Sequence, residues 1–445
     1  LILFAGFLGF VFLTGGGSRD DISSLPILRG VAALFVALSI YLIPSRCALA
    51  IRGPLALLGA IGVLALFQLV PLPPSVWMEL PGREVIAKMD VMVGLEVWRP
   101  VTLSPAATIN ALASLVVPLA VLLLLCQLGD SERALAAFVV MGVLSTLVGV
   151  LQLFSDPRSG LYLYEITNRG SPVGLFANRN HQAVFLACCA LICTHLALRS
   201  SLTGRKNWVA LYASCGVLLG VGVLINGSRA GLFALLMVMI MSAAALLPRR
   251  AEGAVKTRAR GQSFLAPVAL SLAAAALIAL FALAERLPAL SRLIERSALE
   301  DLRADLLPIL LEMVADFQPW GTGLGTFEHA YRMREPVELL MPSYVNEAHN
   351  DWLQFVIEAG APGLLIMAAA ITIALVRVWR MVGSPAQARS GFSESWLGLG
   401  LLAILAGASV VDYPLRVPSI MALAICALAI FVCPDLSKQA KAGKT

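Results

Sequence analysis

The chain has 445 residues, 59% hydrophobic and only 13% charged, against roughly 25% charge in a soluble domain. With a mean hydropathy of +0.85, this composition excludes an ordinary soluble globular protein. The formal charge of +6 does not point to nucleic acid, because the basic residues sit in short loops between apolar runs, not in a patch interleaved with aromatics.

Apolar runs of membrane length recur from end to end, and each can bury about 20 residues of internally hydrogen-bonded helix. Spans are expected near 1–14, 25–43, 53–72, 106–127, 134–154, 182–198, 208–225, 229–247, 264–284, 353–376, 395–411 and 415–432. The expected fold is therefore an all-α polytopic membrane protein of about twelve transmembrane helices. Residues 1–284 hold the first nine spans, with external loops at 73–105 and 155–181. Residues 285–352 form a long external loop carrying short helices before span ten, and 353–445 hold the last three spans and a tail. The chain starts with Leu1 and its first run is short for a span, as though residues preceding it were missing. The eight cysteines, Cys188, Cys189 and Cys193 among them, lie in or beside apolar segments without a CxxC pair and read as small buried hydrophobes.

Orientation follows from lysine and arginine in the short loops. Residues 248–263 carry Arg249, Arg250, Lys256, Arg258 and Arg260 against Glu252 alone, so this loop is expected in the cytoplasm. Counting outward from it places the loops with Arg46 and Arg52, with Arg199, Arg205 and Lys206, and with Arg377, Arg380 and Arg389 on the same side, together with both termini. Residues 15–24, 73–105, 155–181, 226–229, 285–352 and 412–416 then fall outside.

Polar residues cluster on that outer side. Asn178-Arg179-Asn180-His181 opens the sixth span; Asn178 suits a helix cap, which explains one residue but not four. Asn226-Gly227-Ser228-Arg229 joins the seventh and eighth spans. In 285–352 an amphipathic helix through Leu306, Leu307, Leu310, Leu311 and Val314 is expected to stop at Pro319 and Gly321. The glycines at 321, 323 and 325 allow a sharp turn close to a ligand, in neither a Walker nor a Rossmann setting. His349, Asn350 and Asp351 then crowd against the entry to span ten, where unsatisfied polar groups cost several kcal/mol. His195 reads as a satisfied helix-end residue and His329 as a surface or structural one. The shared face suggests one outward polar cavity, in which Arg179, Arg229 and Arg303 could hold a diphosphate whose polyprenyl chain stays in the bilayer.

FANRNHQA at 176–183, NGSRAG at 226–231, and the block from Arg303 through the glycine turn to AHNDWLQFVIEAGAPG at 348–363 resemble the bacterial O-antigen ligase and polymerase family. These are membrane glycosyltransferases that use lipid-linked sugars. The resemblance covers roughly the central and C-terminal half. Departures are mild: Ala230-Gly231 reverses a common Gly-Ala order, and Pro319 is displaced by one position, with Gln318 before it. The resemblance implies His349, Arg303 and Arg229 as catalytic residues, and the polar clusters put Arg179, Asn178, Asn180, His181 and Asn350 forward as substrate-binding ones. It further implies an undecaprenyl diphosphate-linked glycan donor, a lipid A core or growing glycan acceptor, a site on the periplasmic face of the inner membrane, and an inverting transfer with no cofactor or metal. Ligase action on lipid A core is the leading expectation. Polymerase action on lipid-linked repeat units is the alternative, with protein O-glycosylation or polar-lipid transport behind it.

Overall fold

The computed structural model describes residues 1–42, 49–246, 298–340, 345–383 and 393–433, with the backbone alone over 298–304. Helices dominate. In chain order they are α1 (Ile2–Thr14), α2 (Ser24–Leu42), α3 (Arg52–Gln68), α4 (Pro105–Leu128, interrupted at Leu115), α5 (Ser131–Leu153), α6 (Arg179–Leu202), α7 (Lys206–Asn226), α8 (Arg229–Leu246), α9 (Ala298–Asp316), α10 (Asp351–Val382), α11 (Glu394–Ala408) and α12 (Pro418–Val432). Among the described residues seven helices are long and apolar enough to cross a membrane: α2, α4, α5, α6, α7, α8 and α10. Four shorter apolar helices, α1, α3, α11 and α12, accompany them. The span expected at 264–284 lies outside the described residues.

Local chemistry sets the boundaries. Ser104 accepts from Ala107 N ahead of Pro105, Asp130 from Arg133 N, Asn178 from Asn180 N and Asn350 from Leu353 N, so α4, α5, α6 and α10 all start on side-chain caps. Gly129 and Gly227 end α4 and α7 in the left-handed conformation.

Helix α6 is the central element, packed against α5, α7, α8 and α11. Its Ala183, Ala187, Cys188 and Cys189 are buried, and such small side chains let helices approach closely in lipid. A Cβ on Gly231 of α8 would come within 2.4 Å of Ala183 Cβ, so the Ala230-Gly231 order is fixed by packing. The cysteines described are free, and all but Cys215 are buried. Outward-facing Phe233, Leu365 and Trp379 are 72%, 72% and 82% exposed; water does not tolerate such a girdle and lipid does.

The loops expected on one side gather at one end. Ala177 N donates to Gly16 O, Ser419 N to Gly15 O, Leu103 N to Thr322 O, and Asn226 Nδ2 to Pro172 O. At the other end Arg199 Nε meets Glu132 Oε1 at 2.9 Å, tying the end of α6 to the start of α5. Helix α9 confirms the expected amphipathic segment with a rotated face. Leu306, Leu310, Met313 and Phe317 are buried, whereas Leu307 and Leu311 are exposed, because the buried stripe packs on Tyr331, Ala348 and Ile357.

Helix α10 is broken near its start. Gly360 adopts φ 62°, ψ −157°, and Pro362 has no N–H for Glu358 O. Ala361 N turns instead to Pro319 O. The stranded carbonyls are satisfied from outside: Thr322 N donates to Ile357 O, while Gly323 N and Gln68 Nε2 donate to Glu358 O. The glycine turn thus approaches a helix break. Gly321 (φ 76°) has no room for a side chain, since its Cβ would lie 2.5 Å from Glu358 O. Gly94 (φ 64°) has open space around it. We expect Gly94→Ala to cost only the left-handed penalty of about 1–2 kcal/mol. Gly321→Ala should cost more by the added clash. Thermal unfolding of the detergent-purified variants measures the difference.

Candidate functional site

The turn from Ser409 to Val417, between α11 and α12, carries the centre of the site. Asp412 is 2% exposed. Asn180 Nδ2 donates to Asp412 Oδ2 at 2.7 Å, and Tyr413 N donates to Asp412 Oδ1 at 3.0 Å. His349 Nδ1 stands 3.4 Å and His181 Nε2 3.7 Å from the same Oδ1. The Tyr413 ring meets both imidazoles edge-on, with centroids 4.9 Å from His349 and 5.0 Å from His181. Burial alone would raise the Asp412 carboxyl, but the two facing imidazoles outweigh it and hold the group well below the usual carboxylate range. Asp412 is therefore a fixed negative charge aimed at two histidines.

Each partner is held in turn. Asn180 Oδ1 accepts from Ser228 Oγ at 2.8 Å, and Ser228 Oγ accepts from Gly231 N. The starts of α6 and α8, which carry Arg179 and Arg229, are thereby tied together. The loop before α6 is locked by Ser145, whose Oγ donates to Gln182 Oε1 at 2.6 Å and accepts from Leu175 N. His349 has φ 51°, the one positive φ outside glycine among the described residues. Non-glycine residues rarely stay there unless both flanks are pinned. Here they are: Ala348 N donates to Gln354 Oε1, Asn350 caps α10, and Asp351 N donates to Ser409 O.

Beside this centre lies a second charged group. Arg416 Nη2 is 3.1 Å from Glu358 Oε2, and Arg416 Nε is 3.4 Å from Asp351 Oδ1 and 3.5 Å from Glu347 Oε2. Burial opposes the guanidinium charge, but the three carboxylates outweigh it and raise the pKa of Arg416. Three carboxyls exceed one guanidinium, and Glu347 absorbs the excess. Its burial, with Glu358 and Asp351 adding repulsion, pushes it up to about 8 against the pull of Arg416 and Gln354.

Two hollows open at this end. The smaller, about 170 Å³, is lined by His181, Tyr413, Asn178 and Asn346. The larger, about 370 Å³, runs between the α1–α2 loop, α4 and Arg416. Ser18, Arg19 and Asn346 line both.

Of the residues singled out from sequence, His349, His181 and Asn180 converge on Asp412. Asn178 and Asn350 spend their side-chain oxygens on helix caps. Arg179 and Arg229 are half-buried at adjoining helix starts. Arg303 lies in α9, and its side chain falls outside the described residues. His195 is buried in α6, and His329 lines the larger hollow. Sequence reasoning missed Asp412, Tyr413, Arg416, Glu347 and Glu358. The available signal was Glu358 inside an otherwise apolar run, since a carboxylate in such a run requires a partner.

Residues 214–368 match the family model described as O-antigen ligase. That stretch contains Arg229, Arg303 and His349. No curated protein matches the chain.

The high Glu347 pKa has a defined consequence for stability. The folded state keeps a proton that the unfolded chain releases above 4.5, so stability should fall as pH rises from 4.5 to about 8 and then level off. Melting temperatures of Glu347→Gln protein should show a flatter dependence over that window.

Proposed function

Because residues 214–368 match the O-antigen ligase family model, we propose that the protein transfers a glycan from undecaprenyl diphosphate to an acceptor hydroxyl. The transfer takes place on the periplasmic face of the inner membrane, with both termini in the cytoplasm. The match supports a glycosyltransferase-type membrane enzyme.

The observation that carries it is the buried Asp412 carboxylate facing Nδ1 of a backbone-strained His349. Asp412 keeps the imidazole proton on Nδ1 and leaves Nε2 to accept a proton. The 3.4 Å separation is of the kind that tightens once substrate is bound. The acceptor hydroxyl attacks the anomeric carbon of the donor sugar and passes its proton to His349 Nε2. The bond from that carbon to the diphosphate oxygen breaks, and undecaprenyl diphosphate leaves with the electron pair. One displacement inverts the anomeric centre. Arg229 and Arg303, with Arg179 beside Arg229, stabilise charge growing on the diphosphate, so the proposed step calls for no metal. His181, also facing Asp412, and Asn180 hold the carboxylate in place; Asn178 and Asn350 hold the helix starts that present the site to donor and acceptor.

Lipid A core is the preferred acceptor. The test supplies purified protein with undecaprenyl diphosphate-linked glycan and either lipid A core or further donor, and follows products by mass. Glycan on lipid A core supports ligase action. Longer chains still on the carrier turn the reading to polymerase, and glycan on an added protein acceptor turns it to protein O-glycosylation. His349→Ala and Asp412→Asn should each slow transfer by at least ~10²-fold without loss of membrane insertion. Arg303→Ala should abolish transfer; normal turnover by that variant would sink the diphosphate role.

A further inference from the structure

The larger hollow is not used by the chemistry above. Its walls come from the α1–α2 loop, α2, α4, the short helix Phe327–Arg332 and the turn before α12. Within it Arg29 donates to Asn110 Oδ1, and Asn110 Nδ2 donates to Asp20 Oδ1 at 2.5 Å. One carboxamide thus holds a carboxylate and a guanidinium side by side, although they come from a loop and a different helix. It engages one oxygen of Asp20 and one nitrogen of Arg29, and both residues line the hollow. Glu328 lines it from the Phe327–Arg332 helix.

This lining does not suit a diphosphate. Anion sites collect cations and backbone N–H groups, whereas here guanidinium groups alternate with carboxylates and carboxamides. Such alternation suits a polyol, in which every hydroxyl both donates and accepts. Leu415, Met421 and Ala111 supply apolar surface beside the polar groups, as the C–H face of a sugar ring needs. At about 370 Å³ the hollow falls within the usual range for small-ligand sites. Asn346 and Arg19 join it to the smaller hollow, whose Tyr413 ring touches that of His349.

We propose that this hollow is the acceptor site: it binds the terminal saccharide of the acceptor, with Asp20, Asn110 and Arg29 gripping its hydroxyls, and delivers a neighbouring hydroxyl past Asn346 to His349. The proposal rests on the glycosyl-transfer reading for its last step and on the lining alone for sugar binding.

The experiment separates the two. Fluorescently labelled core oligosaccharide released from lipid A, and in a second arm repeat-unit oligosaccharide free of carrier, are titrated by anisotropy into full-length His349→Ala protein and into the same protein carrying Asn110→Ala. One oligosaccharide should bind, and Asn110→Ala should weaken it about tenfold or more, as for loss of a well-placed polar contact. Affinity for undecaprenyl diphosphate should be unchanged, which also establishes that the variant is folded. Glu328→Gln, a milder change, should weaken the same oligosaccharide and spare the carrier. Absence of binding in both arms, equal binding with and without Asn110, or a loss confined to the carrier would each overturn the acceptor site. Oligosaccharide binding that depends on Asn110, with no transfer by His349-intact protein, would uphold the site and overturn the glycosyl-transfer reading instead.

Discussion

A carboxylate buried at one end of a helix bundle must be satisfied, and the way Asp412 is satisfied organises that end of the molecule. Its amide partner Asn180 starts α6, its imidazole partners start α6 and precede α10, and Asn180 in turn holds the serine that starts α8. An unpaired charge in this position would cost far more than any one of these contacts contributes. The ends of three helices, α6, α8 and α10, and the turn between α11 and α12 are therefore committed to one arrangement, and the arginines at the starts of α6 and α8 are carried into place with them.

The break in α10 serves the same arrangement. A straight helix through Gly360 and Pro362 would keep its carbonyls to itself. The broken one offers Ile357 O and Glu358 O to the glycine turn and to Gln68, welding α3 and the segment after α9 to the base of the site. Membrane interiors accept such irregular backbone only where protein covers it. The Glu358 side chain then reaches Arg416, so the break and the charged turn stabilise each other.

Two electrostatic settings meet at the turn before α12, one around Asp412 and one around Arg416. Around Asp412 the neighbours favour the ionised carboxylate, whereas around Glu347 burial and two further acids favour the protonated form. Such divergence between nearby acids commonly marks functional sites. Here it separates a carboxylate that faces two imidazoles from a carboxyl that burial holds in the protonated form beside the segment leading into His349.

The sequence by itself determined the apolar, helical class, the positions of most of the described helices and which of the described loops gather at one end. Those depend on composition, on apolar run length and on local caps such as Asn178, Asn350 and Gly227, all readable within a few residues. It also singled out His349, His181 and Asn180, because polar clusters at span ends are locally conspicuous. Tertiary structure alone decided that these three meet at Asp412, that Arg416 is shared among three acids, and that the glycine turn packs on a helix break. Each of those joins residues from 35 to 232 positions apart. No local pattern encodes which distant carboxylate a given imidazole will face; that is set only when the helices pack.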